Sequence, residues 1–202
     1  MAAWAAGAAG VLGVLALGPA WAAAGSPLTP AHRASLDLGS YPRATAPPEF
    51  NLSTPEGRTV SPAGLRGQVV ILNFWATWCV DCRQEMPALE ALHRRFGTRG
   101  LAVVGINTRE GPAVVRRYAR DLGLSFPLVL DADGTVTGRF GVIGLPTTFL
   151  IGRDGRAEAL AVGVREWASP AAVTIVETLL AATPGEPVPP RARGPQSGAP
   201  RQ

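Results

Sequence analysis

Lysine is absent from the chain. All 19 basic side chains are arginine, against 15 acids, for a formal net charge of +4 over 202 residues. Cysteine and histidine occur twice each, as Cys79, Cys82, His32 and His93. No charged side chain precedes His32 and Arg33, and no internal repeat is visible. Each scarcity excludes something. A nucleic-acid surface needs a contiguous basic stripe or a recognition motif. Here the densest basic groups are pairs such as Arg94-Arg95 and Arg116-Arg117, so solvated helix faces account for them and no nucleic-acid partner is expected. A zinc site needs four ligands, yet His32 lies in a polar segment and His93 on the helix expected to carry Cys82, so no metal is expected. A purely structural disulfide between Cys79 and Cys82 would close too short a loop to restrict the unfolded chain much.

Apolar residues, by contrast, are plentiful at 47%, with 24 glycines and 19 prolines. This composition fits one globular domain with loose ends. A core of about 140 residues buries roughly two-thirds of its unfolded surface and folds without disulfide staples. Residues 1–24 place an apolar centre, Val11–Leu17, before Gly18-Pro19 and a run of small residues. That is the layout of a secretory signal peptide. An uncleaved membrane anchor is the rival, since about 20 uncharged residues can cross a bilayer. Either reading exports the folded part to the periplasm or the extracytoplasmic face of the cell membrane, and lipidation through an N-terminal cysteine is excluded. Residues 25–46 read as a polar linker, 47–183 as the domain, and 184–202 as a disordered Pro/Gly/Arg tail.

Within the domain, short strand-like pieces at Phe50–Leu52 and Arg58–Val60 flank the turn signal Pro55-Glu56-Gly57. Ser61-Pro62 opens a brief helix that Gly67 ends, with Ser61 as its cap. Val69–Trp75 is apolar and β-branched, as a strand buried on both faces requires. Helical spacing follows through Cys82, Met86, Leu89, Leu92 and Phe96, with Pro87 expected to kink the helix. Next come a strand at Leu101–Ile106, a helix from Glu110 to Leu122 stopped by Gly123, a short strand at Phe126–Leu130 and a turn at Asp131–Gly134. A hairpin, Thr147–Ile151 with Ala157–Val162, precedes a last helix opened by Ser169-Pro170 and running to about Ala182. Alternating strands and helices followed by a hairpin predict a mixed α/β sheet flanked by helices.

The two cysteines fall in NFWATWCVDCRQEMP, 73–87, where the buried strand hands over to the helix. At positions i and i+3 of one helix they are neighbours within disulfide reach. The first sits among unpaired N–H groups at the positive end of the helix dipole, which favours thiolate. Cys79 is therefore the expected exposed nucleophile, and Cys82 the shielded thiol that resolves a mixed disulfide. Two inert buried thiols are the bland alternative.

NFWATWCVDC, the preceding segment 48–66 and the later GLPTTFLIGRDGR, 144–156, resemble the TlpA/ResA/CcmG group of thioredoxin-like proteins over roughly residues 47–180. The resemblance implies a thioredoxin fold with an N-terminal β-hairpin extension. It implies an exported, often membrane-tethered thiol-disulfide oxidoreductase, commonly a reductant. No cofactor beyond the Cys79–Cys82 disulfide is implied. Partners would be proteins with disulfides or Cys-X-X-Cys motifs, such as apocytochrome c or a copper-site protein, and an upstream membrane thiol donor. By the same resemblance Pro146 is cis beside the cysteines, and the Leu145 backbone binds substrate. Trp78 and Val80 border the thiol, Trp78 as a substrate platform, while Trp75 packs in the core.

Two positions depart from relatives. Where many carry proline between the cysteines this chain has Asp81, whose charge opposes a thiolate at Cys79 and makes a stronger reductant; the plain alternative is a first-turn helix acid. Where thioredoxins have a buried aspartate, Asn73 stands, which leaves Glu85 and Glu110 as candidate proton shuttles to Cys82 or as solvated helix residues. Two other functions remain open: a peroxiredoxin-type peroxidase, whose motif is spaced differently, and a copper-binding module, for which Met86 or His93 would have to serve.

Overall fold

The computed structural model describes residues 26–40 and 46–183. The signal or anchor at 1–24 and the tail at 184–202 lie outside them. Among the described residues no helix is long and apolar enough to cross a membrane.

Val69–Trp75 forms the central strand β3, and all seven of its residues are buried. Burial on both faces follows from its pairing. β3 runs parallel to β4 (Leu101–Thr108), which runs parallel to β5 (Leu128–Asp131). On its other side β3 is antiparallel to β6 (Thr147–Ile151), which forms a hairpin with β7 (Ala157–Val162). The order is β5-β4-β3-β6-β7. Because side chains alternate across a strand, Val69, Ile71 and Trp75 join one core, while Val70, Leu72 and Phe74 join the other.

The first core is closed by α2 (Val80–Phe96) and α5 (Pro170–Ala181), with Val115 and Tyr118 of α3 (Pro112–Leu122). α2 presents Cys82, Met86, Leu89, Leu92 and Phe96, the spacing read from the sequence, and runs on through Pro87. Gly123 ends α3 in the left-handed conformation at φ 62°, which glycine adopts without steric cost. Ser169 caps α5 by accepting from the Ala172 amide. The second core is covered by Phe50, by the hairpin β1 (Leu52–Ser53) and β2 (Thr59–Val60), and by the short α4 (Thr135–Arg139).

Several expectations need correction. Ser61 makes no side-chain cap, and the turn it precedes, Pro62–Leu65, is 3-10. α4 was hidden from a periodicity reading by its five-residue length. It is held from the preceding turn by the buried Asp131 carboxylate, which accepts from the amides of Val136 and Thr137 at 3.0 and 2.7 Å. The largest correction is the supposed linker. Residues 26–39 are part of the fold: α1 (Pro30–Ser35) is capped by Thr29, and Leu28, Leu36 and Leu38 are buried in the first core. Gly39 exchanges two backbone hydrogen bonds with Leu160 and so covers the outer edge of β7. The signal was three leucines spaced irregularly among polar residues, which no helix or strand template collects.

Candidate active site

The loop after β3 delivers Cys79 to the N-cap of α2, where its extended backbone (φ −81°, ψ 108°) leaves the first helical amides without intrahelical partners. The Cys79 sulfur accepts from the Cys82 amide at 3.1 Å. Cys79 and Cys82 form a disulfide across a Cα separation of 5.3 Å. Cys79 keeps 7% of its surface and Cys82 none. In this disulfide form Cys79 is therefore buried, only slightly less so than Cys82, and not the exposed residue expected from the sequence. Trp78 and Val80, by contrast, are 70% and 71% exposed, while Trp75 is buried. Asp81 is an exposed first-turn acid.

Leu145-Pro146 is a cis peptide. Thr147 pairs with Phe74 in the β3–β6 register, so Pro146 stands opposite the end of β3, where the Cys79 loop begins. The Pro146 carbonyl accepts from the Gly163 amide at 2.8 Å. Two residues before the leucine, Ile143 is almost wholly exposed, at 95%. Sequence reasoning passed over it because an isolated isoleucine looks like a core residue.

Glu85, one turn beyond Cys82, is buried. It therefore cannot be the solvated helix residue that its spacing also allowed. Asn73 Nδ2 donates to its Oε1 at 2.7 Å and to Thr148 Oγ1 at 2.9 Å. Trp167 Nε1 and the Arg165 amide donate to its Oε2 at 3.0 and 3.3 Å. Burial pushes the Glu85 carboxyl up to about 7, against the opposing pull of these donors and the Arg165 charge. Glu85 is thus a buried carboxyl with its titration moved towards neutrality, on the same helix as Cys82.

Glu110 is placed differently. It precedes α3 rather than opening it, and its carboxylate receives the amide and hydroxyl of Thr77 and Asn107 Nδ2. That fully engaged carboxylate ties the loop carrying Trp78 to the end of β4. Of the remaining candidates, Met86 is buried in the core and the His93 ring meets Phe126 edge-on. Trp167 and Arg165, the other partners of Glu85, had no sequence signal. They lie about 80 residues away and arrive only through the β7–α5 connection.

A parallel-antiparallel sheet with a Cys-X-X-Cys pair at a strand-to-helix junction beside a cis-proline defines a thioredoxin-like thiol-disulfide oxidoreductase. Comparison with known proteins agrees. The AhpC/TSA family pattern matches residues 44–159. Thiol-disulfide oxidoreductase ResA of Geobacillus thermodenitrificans is 39% identical over 116 residues, 57% of this chain and 67% of that one. ResA of Bacillus subtilis is 35% identical over 116 residues, 57% and 65% of the two chains. The aligned part thus spans about two thirds of each relative. A solved thiol:disulfide interchange protein of the thioredoxin family from Chlorobium tepidum superposes with a TM-score of 0.62 at 31% identity, over 70% of this chain and 99% of that one. The chain belongs to the AhpC/TSA family.

Proposed function

We propose that this protein reduces disulfides in partner proteins outside the cytoplasm, with Cys79 attacking and Cys82 resolving. The observation that carries the reading is the placement of Cys79 at the α2 N-cap, between exposed Trp78 and Val80, with Cys82 fully covered behind it. In the dithiol form the Cys79 thiolate attacks one sulfur of a substrate disulfide. A mixed disulfide forms and the first substrate thiolate leaves. Cys82 then gives its proton to Glu85 and attacks the Cys79 sulfur, releasing the second substrate thiolate and restoring the Cys79–Cys82 disulfide. Two electrons pass to the substrate, and a membrane thiol donor must return them. Glu110 holds the Thr77 loop in this scheme rather than moving protons. Trp78, Val80 and Ile143 form an apolar rim for the substrate chain, which the Leu145 backbone beside Pro146 aligns. The TlpA/ResA/CcmG resemblance favours apocytochrome c or a copper-site protein as substrate. The apolar, uncharged N-terminus supports export, by a cleaved signal or a retained anchor.

Insulin reduction in the presence of dithiothreitol tests the activity, and the reduction potential tests its direction. A potential near that of thioredoxin, about −270 mV, is expected, and one near about −120 mV would reverse the assignment to disulfide formation. Asp81 should contribute to the low value, because its charge lies one turn or less from the Cys79 sulfur and opposes the thiolate. Asp81→Pro is accordingly expected to raise the potential, and an unchanged or lower potential in that variant would remove Asp81 from the explanation.

A further inference from the structure

The N-terminal residues that belong to the fold, 26–39, lie wholly outside the part matched by the family pattern, which begins at residue 44. Three observations tie them to the chemistry. Arg165, in the connection between β7 and α5, donates from Nε and Nη2 to the Asp37 carbonyl at 3.1 and 2.8 Å, and from Nη2 to Asp37 Oδ2 at 2.9 Å. Its Nη1 donates to the carbonyls of Gly163 and Val164, so one guanidinium fastens its own loop and the N-terminal segment together. The same loop supplies both long-range donors to Glu85, the Arg165 amide and Trp167 Nε1, and its Gly163 amide bonds the Pro146 carbonyl.

The contact is built rather than incidental. Asp37 holds φ +48°, a left-handed conformation uncommon for a residue other than glycine. Strained backbone of this kind persists only where its surroundings fix it. Those surroundings are Leu36 and Leu38, both buried in the core on either side of it. The Asp37 side chain is 92% exposed while that of Arg165 is only 16% exposed, so the pair is too open to be a major source of stability. Its effect falls on position.

We propose that the Asp37–Arg165 contact makes residues 26–39 a strap that presses the 163–167 loop onto Glu85 and so governs proton transfer when Cys82 resolves a mixed disulfide. Asp37 and Arg165 are positioning residues, and the inference rests on the role assigned to Glu85 above. Arg165 and Trp167 from the loop and Asn73 from β3 donate to that carboxyl, Asn73 also donating to Thr148 of β6; Tyr118 from α3 feels its charge, and Cys82 precedes it by three residues on the same helix. Tyr118, pushed up to about 12 by burial, stays neutral. The loop donors therefore set the balance: while they are held, they favour the carboxylate that accepts the proton.

The resolving step can be isolated. Reduced full-length protein mixed with dithiobis(nitrobenzoate) releases one thionitrobenzoate when Cys79 attacks and a second when Cys82 closes the disulfide. In the native chain the second phase should accelerate as pH rises through about 7, where Glu85 titrates. Arg165→Lys keeps the charge but loses the fork. Asp37→Gly removes the carboxylate and its bond to Nη2 while keeping the carbonyl that takes the other two, suits φ +48° and alters an exposed position. Both variants are expected to move the midpoint upward. A shift of about one unit lowers the ionised fraction at pH 7 from about a half to about a tenth, slowing the second phase about five-fold there and not above about pH 9. Removing a negative charge would by itself push the midpoint down, so the direction in Asp37→Gly separates a strap from simple electrostatics. A midpoint that falls in folded Asp37→Gly, or that stays in Arg165→Lys, where the bonds to the Asp37 carbonyl are lost as well, overturns the strap. Glu85→Gln serves as the control on the underlying assignment. If the step near pH 7 survives in that variant, Glu85 is not the acceptor, and the strap falls with it.

Discussion

In the fully reduced protein, iodoacetamide is expected to label Cys79 well ahead of Cys82, and Cys82→Ser is expected to accumulate covalent mixed disulfides that the native chain resolves. Both outcomes follow from cover. Cys82 has no exposed surface and lies within α2, under core residues that include Met86 and Leu89. A reagent or a protein disulfide reaches Cys79 first, at the helix N-terminus where unpaired amides favour a thiolate. Without a resolving sulfur the first exchange cannot proceed to product release. Insulin reduction should then fall by orders of magnitude in Cys79→Ser, while Cys82→Ser retains the first attack and stops there. Trapped adducts separate on non-reducing gels. Labelling of Cys82 ahead of Cys79, or adducts forming equally on Cys79→Ser, would dismantle the assignment of roles.

A second large effect is expected in stability against pH. The Glu85 carboxyl titrates near 7 in the folded protein, against 4.5 for the exposed group. Between those values the native state holds a proton that the unfolded chain has released. The stabilisation is therefore complete below about pH 4.5 and is lost as pH rises through about 7. At about 1.4 kcal/mol per pH unit the loss comes to about 3 kcal/mol. Glu85→Gln has no proton to lose, so relative to the native chain it should gain about that much between pH 4 and pH 8. Urea unfolding of the oxidised protein across this range measures it. Glu90 works in the opposite sense, since its burial is outweighed by hydrogen bonds from Ser125 and by Arg94, which hold its carboxyl below the usual range. It is common to both proteins and cancels from the comparison. Parallel stability curves for the two proteins would show that Glu85 is not buried as a proton-holding acid.

The two results bear on each other. A buried carboxyl that weakens the fold at neutral pH is kept against a stability cost, as expected of a group that handles protons. Trp78 and Val80, which flank Cys79, carry the same kind of cost, exposing hydrophobic surface next to the disulfide.

Much of this architecture is legible in the order of residues. Val69–Trp75, Thr147–Ile151 and Ala157–Val162 appear with the bounds read from composition and turn residues, because a strand buried on both faces reads as a nearly continuous apolar run and hairpins need marked turns. α2 and α5 follow from helical spacing and from Ser169-Pro170. The cysteine pair was legible for a local reason: three residues of helix geometry bring the sulfurs together wherever the helix sits.

What the linear order of residues determined by itself was thus the strands, the long helices and the pair of sulfurs at their junction, since each depends on neighbours within about one turn or one hairpin. Only the tertiary structure decided that residues 26–39 belong to the core, that Glu85 is buried while Glu110 is spent on Thr77, and that Arg165 and Trp167 reach the carboxyl from some 80 positions away. Burial and long-range hydrogen bonds depend on which surfaces the sheet brings together, and no local pattern encodes that.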